Sequence, residues 1–149
     1  MRAVVQRVLG AEVEVDGVRV ARMEGGLLVL VGIGRSDGPE QVGWLARKLA
    51  SLRIFPDDAG RFERSVVDVA GTIGLVSQFT LYGDARKGRR PSFGEAAPPE
   101  AARPVFDALA AAVAALGVPV VTGRFGAAMK VSLVNDGPVT ILLDTDQGL

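Results

Sequence analysis

Apolar and polar positions alternate from the start of the chain. Val4 to Val8 reads as a strand, and Val13, Val15, Val18 and Val20 alternate with polar residues around Asp16-Gly17. Asp-Gly between two such runs predicts a hairpin, because both turn positions need positive φ. Leu27 to Ile33 is unbroken apolar sequence and predicts a buried strand. Val42, Leu45, Leu49 and Leu52 then recur at helical spacing. They predict a helix with Asp37 as N-cap and Pro39 in its first turn. Leu52 to Phe55 predicts a short strand, Pro56 to Gly60 a turn, Val66 to Val69 a small strand and Thr72 to Leu81 a stronger one.

Gly83 to Pro99 is a long polar loop with glycine and proline throughout. A second helix is predicted from Pro99 to Leu116, its inner face marked by Val105, Leu109, Val113 and Leu116, with Gly117 just past its end. Val118 to Val121 predicts a strand. Lys130 to Val134 and Val139 to Asp144 predict two more, with Asn135-Asp136-Gly137-Pro138 read plainly as a hairpin connection. The last few residues read as an exposed tail. Strand, loop, helix and strand recur in 27–55 and 72–121, which suggests an internal duplication. The predicted class is mixed α/β: one domain over residues 1–149, mostly antiparallel sheet layers covered by two helices.

Composition narrows the chemistry. With 149 residues, 48% hydrophobic and 23% charged, the chain fits one globular core. Its formal net charge is zero, so attraction to nucleic acid needs a local patch. It has no cysteine and no histidine. Thiolate catalysis, disulfides, a Ser-His-Asp triad and His- or Cys-ligated zinc are therefore excluded. No metal and no cofactor is expected. No apolar run is long enough to span a bilayer and the N-terminal residues carry no signal core, so a cytoplasmic location is expected.

Four stretches could carry chemistry. Gly32-x-Gly34 resembles the start of a dinucleotide fingerprint, but Asp37 occupies the third glycine position, and a flexible strand-to-helix turn explains it as well. Ser77-Gln78-Phe79-Thr80 lies where a strand meets a long loop. It offers two hydroxyls, an amide and backbone N–H groups for a developing oxyanion, or it is an ordinary polar strand end. Arg86, Lys87, Arg89 and Arg90 place four positive charges in five positions, suited to phosphates or to plain solvation. Asn135-Asp136-Gly137-Pro138 combines a conformationally free glycine with a proline that permits a cis bond, trans being the default.

Taken together, these segments resemble the bacterial D-aminoacyl-tRNA deacylase family, also called D-tyrosyl-tRNA deacylase. The resemblance runs through 1–8, Val15-Asp16-Gly17, 52–55, Leu75 to Tyr82, Arg86-Lys87-Gly88, Arg90-Pro91-Ser92-Phe93, Thr122-Gly123-x-Phe125-Gly126-Ala127-x-Met129 and Asn135 to Thr140. It departs after Gly60, where the family usually reads Lys-Met-Asn and this chain reads Arg61-Phe62-Glu63.

The resemblance implies a β/β/α deacylase-like fold and hydrolysis of the ester joining a D-amino acid, or glycine, to the 3′-terminal adenosine of tRNA. It implies a role in translation quality control. Ser77, Gln78, Phe79 and Thr80 would line the catalytic site, with Phe125 and Met129 near the adenosine. Gly137-Pro138 would be cis and, braced by Arg7, would enter the active site of the partner subunit of a homodimer, where its carbonyls exclude L side chains. Arg86, Lys87, Arg89 and Arg90 would meet tRNA phosphates. Either water or Thr80 could attack the ester, with water favoured because no base is evident beside Thr80. The rivals are a catalytically silent RNA-binding module using Phe79, Tyr82 and Phe93, and a nonselective small-molecule esterase.

Overall fold

In the computed structural model, which describes residues 1–147, one long strand organises the sheet. β1 (Arg2–Val15) pairs along one edge with β8 (Lys130–Asp144). Its other edge pairs antiparallel with β3 (Gly26–Gly32) over its first half and with β2 (Val18–Met23) over its second. The β1–β2 turn has positive φ at Asp16 (50°) and Gly17 (77°), as the Asp-Gly hairpin predicted. β6 (Thr72–Ser77) lies parallel to β3, and β7 (Val120–Thr122) parallel to β6. Parallel neighbours need a crossover, and α2 (Pro99–Ala115) provides it between β6 and β7.

Both sheet faces are apolar, which explains the unbroken hydrophobic run of β3. Leu27, Val29 and Val31 pack with Leu45 and Leu49 of α1 (Pro39–Ser51) and with Phe106, Leu109 and Val113 of α2. Leu28 faces the other way, with Val8, Val13, Met23 and Val76. The mixed α/β class with two covering helices holds. The duplication holds for β3–α1 and β6–α2 but fails at the next strand. β4 (Phe55–Pro56) leaves the main sheet and pairs only with β5 (Phe62–Arg64) as a small ribbon.

Several local expectations are corrected. The N-cap is Gly38, whose N–H donates to Gln41 Oε1 at 3.0 Å. Asp37 instead accepts from the Met1 ammonium and the Gly34 N–H, both at 2.6 Å. Residues 66–69 form turns, not a strand, and Asp68 bonds back to the Ser65 N–H at 2.7 Å. Leu52 ends α1, so the strand expected at 52–55 shrinks to Phe55–Pro56. The strand expected to reach Leu81 stops at Ser77, and 79–82 coil into a 3-10 turn. Leu116 faces solvent, while Ala102 and Phe106, which the periodicity overlooked, face the core.

The largest correction concerns the C-terminal strands. They are not a hairpin. Both arms pair with the same partner, β1: Val134 lies opposite Gly10, and Thr140 opposite Gln6. Residues 136–139 stand opposite the single residue Arg7 and bulge from the ladder. Of the expected tail, the Thr145 N–H donates to the Met1 carbonyl at 2.9 Å, whereas residues 148–149 lie outside the described residues.

Candidate active site

The parallel strands β3 and β6 end side by side, and chain leaving parallel strand ends commonly frames a binding crevice. Here the 3-10 turn, the loop after it, the start of α2 and residues 125–129 enclose a cavity of about 490 Å³. Its walls are largely apolar, including Phe93, Pro98, Ala102 and Phe125, and no charged side chain among the described residues lines it. Its polar side chains are those of Ser77, Gln78 and Thr80. Phe79 and Thr80 open the 3-10 turn, so their N–H groups have no acceptor within it. Such donors beside a largely apolar cavity can stabilise a developing oxyanion.

The turn is held tightly from below. The Gln78 N–H donates to the Val31 carbonyl at 2.8 Å, continuing the β3–β6 ladder by one bond. Gly32 and Gly34 let the turn settle onto β3. A Cβ on Gly34 would stand 2.6 Å from the Tyr82 hydroxyl, and one on Gly32 would stand 3.2 Å from the Gln78 carbonyl. That close approach accounts for the Gly-x-Gly spacing without a phosphate. Burial pushes the Tyr82 phenol up, so it stays protonated, and its oxygen has no hydrogen-bond partner among the described residues. The Arg2 guanidinium lies over the Tyr82 ring at 4.5 Å and donates to the Leu81 carbonyl at 3.1 Å. Above the turn, Phe79 is 58% exposed and meets Phe93 edge-on at 5.1 Å. Phe125 packs against Phe106 of α2 at 5.9 Å, which ties the cavity wall to the core.

Ser77, Gln78, Phe79, Thr80, Phe125 and Met129 therefore share one cavity. Gly137 and Pro138 do not line it. They sit exposed on the β8 bulge, joined by a cis peptide bond, with Gly137 at φ +142°. The bulge is fastened at two points. Asn135 Oδ1 accepts from the Val139 N–H at 2.8 Å and closes its base. Arg7 donates from Nε to the Asp136 carbonyl at 2.9 Å and from Nη1 to the Ile54 carbonyl at 2.7 Å.

The basic residues lie apart again, on the exposed loop after the 3-10 turn. Arg86 forms a two-pronged pair with Asp84 at 2.9 and 2.7 Å, which holds the Asp84 carboxyl down at about 2. Lys87, Arg89 and Arg90 have no salt-bridge partner among the described residues.

Sequence reasoning missed the cavity walls at Val31, Ile33, Ala96, Ala97 and Ala102. Their only signal was hydrophobicity, which does not separate a core position from a cavity wall. Among the described residues there is no group of three or more Asp, Glu, His or Cys placed to hold a metal. Among the described residues no helix is long and apolar enough to cross a membrane.

The chain is similar to known proteins over nearly its whole length. A chain from Thermomicrobium roseum named D-aminoacyl-tRNA deacylase is 58% identical over 97% of this chain and 94% of its own. One of the same name from Thermosipho africanus is 53% identical over 97% of both. Among solved structures, one titled c-Myc DNA Unwinding Element Binding Protein superposes with a TM-score of 0.92 at 38% identity, covering 97% of this chain and 99% of that one. A second, titled as a probable eukaryotic D-amino acid tRNA deacylase, has the same fold, with a TM-score of 0.82 at 20% identity over 95% and 97% of the two chains. The family model described as D-Tyr-tRNA(Tyr) deacylase matches residues 4–144, and the chain belongs to that family.

Proposed function

We propose that the protein hydrolyses the ester between a D-amino acid, or glycine, and the 3′-terminal adenosine of tRNA. The observation that carries this reading is the gathering of Ser77 to Thr80, Phe125 and Met129 on one uncharged cavity. An aminoacyl ester is already labile, so positioning and oxyanion stabilisation suffice without a histidine. The terminal adenosine lies on the apolar wall near Phe125 and Met129. The ester carbonyl meets the N–H groups of Phe79 and Thr80. Water adds to that carbonyl, the bond to the ribose oxygen breaks, and the ribose oxygen takes the proton. The products are the free amino acid and tRNA with a free 3′ end. Water is preferred to Thr80 as nucleophile because no titratable side chain lines the cavity to activate a hydroxyl.

Chiral selection needs a second element, since the cavity of one chain has only its own walls. Gly137 and Pro138 of a second copy supply it, their carbonyls standing where an L side chain would project. The exposed apolar side chains of Leu9, Val134 and Leu142, on β1 and β8, support assembly as a homodimer. Lys87, Arg89 and Arg90 meet tRNA phosphates, Arg86 joining them through its Asp84-paired guanidinium, and the enzyme works in the cytoplasm in translation quality control.

The test is deacylation of matched D-tyrosyl-tRNA and L-tyrosyl-tRNA by the purified protein. Loss of only the D ester is expected. Equal cleavage of both would make the protein a nonselective esterase. Binding of either tRNA without cleavage would make it an RNA-binding module.

A further inference from the structure

We infer that the β4–β5 ribbon, through Phe62, is a positioning element for the Gly137-Pro138 bulge; its effect on selectivity rests on the deacylase reading. Arg7 links the two. Its side chain is only 8% exposed, although a guanidinium normally seeks water. On one side it holds the Asp136 carbonyl, and the Asp136 carboxylate lies 3.3 Å from the same Nε. On the other it holds the carbonyl of Ile54, the residue before β4. The Phe62 ring of β5 covers the guanidinium, 5.4 Å from its centre.

This arrangement decides where the bulge points. Gly137 has no side chain to restrain it, and its φ of +142° is open to glycine at little steric cost. The orientation of its peptide groups is therefore set by the residues on either side. Val139 is fixed by Asn135, and Asp136 by Arg7. Arg7 can hold that carbonyl only while it is kept from water and from other rotamers. A ring face over a desolvated guanidinium does both. The ribbon itself is stiffened at its tip, where Asp57 accepts from the Ala59 and Arg61 N–H groups, both at 2.9 Å, and from the Arg61 guanidinium. Phe62 is half exposed, at 51%, so its ring contributes little to the core while lying over Arg7.

The experiment compares the full-length protein with Phe62→Ala and Phe62→Tyr by two readouts. The first is amide hydrogen exchange of a peptide spanning 134–141. In Phe62→Ala its exchange should accelerate about tenfold, the size expected for losing one desolvated cation–π contact, while peptides from α1 and α2 stay unchanged. The second is the ratio of D- to L-tyrosyl-tRNA deacylation, expected to fall by about the same factor, with Phe62→Tyr restoring both. Unchanged exchange of 134–141 in Phe62→Ala would overturn the inference whatever the activity. Accelerated exchange of 134–141 in Phe62→Ala with no D-ester cleavage by the unmodified protein would sink the deacylase reading and leave the positioning role standing. Should Phe62→Ala fail to fold, Phe62→Leu is read in the same way, because it keeps apolar bulk but lacks a ring face.

Discussion

The cavity and the β8 bulge are built by opposite means. The cavity is an outgrowth of the core: its wall residue Phe125 rests on buried Phe106, and its floor is the ends of β3 and β6. The bulge is an exposed excursion of residues 136–139, kept in shape by Asn135, Arg7 and the ribbon behind Arg7. Packing protects the first, and a few directed hydrogen bonds protect the second. Damage to the cavity should therefore cost stability, whereas damage to the bulge should cost selectivity with the fold intact.

The largest effect should come from Phe106→Ala. Removing a buried phenylalanine costs about 3–5 kcal/mol, from lost transfer energy and the hole left behind. Denaturant unfolding should reveal that loss, and tRNA deacylation should weaken with it because Phe125 loses its support. A stability change under about 1 kcal/mol would mean that the cavity wall stands independently of the core.

Gly137→Ala tests the other region. A Cβ there would stand 2.7 Å from Val139 Cγ2 and 2.9 Å from the Val139 nitrogen. The local cost is about 1–3 kcal/mol, enough to displace the bulge but not to unfold an exposed segment. We expect the ratio of D- to L-tyrosyl-tRNA turnover to drop about 10- to 100-fold, with the thermal midpoint lowered by only a few degrees. A collapse of the midpoint to match Phe106→Ala would erase the distinction between the regions.

The same contrast explains what was readable in advance. Leu27 to Ile33 and the 3.6-residue periodicity of α1 and α2 announced the core, since burial writes itself into spacing. The Asp16-Gly17 hairpin was readable from turn chemistry. The collinear path of β8 was not. Asn-Asp-Gly-Pro fits a hairpin turn and a bulge equally well, and only the shared partner β1 decides between them. The 3-10 turn at 79–82 was hidden for a related reason. Phe79-Thr80-Leu81-Tyr82 has strand-like composition, yet contacts from Gly32 and Gly34 let it coil onto β3. The residues proposed for the site were legible through the family resemblance, whereas the dependence of Arg7 on Ile54 and Phe62 needed coordinates.

A smaller effect is expected at the cavity mouth. Phe79 is mostly exposed and touches Phe93 edge-on, an arrangement worth about 0.5–1.5 kcal/mol. Phe79→Ala should leave unfolding nearly unchanged and raise KM for D-tyrosyl-tRNA about 3- to 10-fold. A loss in kcat with KM unchanged would instead assign the ring to holding the 3-10 turn in its reactive geometry.

The smallest and most selective effect belongs to the basic loop, and it separates charge that is free from charge already used. Arg86 is matched by Asp84, whose carboxyl is drawn down to about 2, chiefly by the Arg86 side-chain hydrogen bond. A depressed carboxylate pKa means that the pair is fully formed above the ordinary carboxylate range and is lost only as pH falls through about 2. Well above that pH the Asp84–Arg86 pair keeps both its charges, so its part in KM for tRNA should respond to salt and not to pH. Each phosphate contact removed should lower the log–log salt slope by about 1. Arg89→Ala and Lys87→Ala should show that change. Arg86→Ala should show less, because its guanidinium already holds the Asp84 carboxylate in place of a phosphate, and pairing Arg86→Ala with Asp84→Ala, which removes the carboxylate left unpaired, should return the slope toward that of the unmodified protein. An Arg86→Ala slope change as large as that of Arg89→Ala would mean that Arg86 leaves Asp84 for a phosphate when tRNA binds. The loop would then rearrange on binding, while the cavity beneath it keeps its shape.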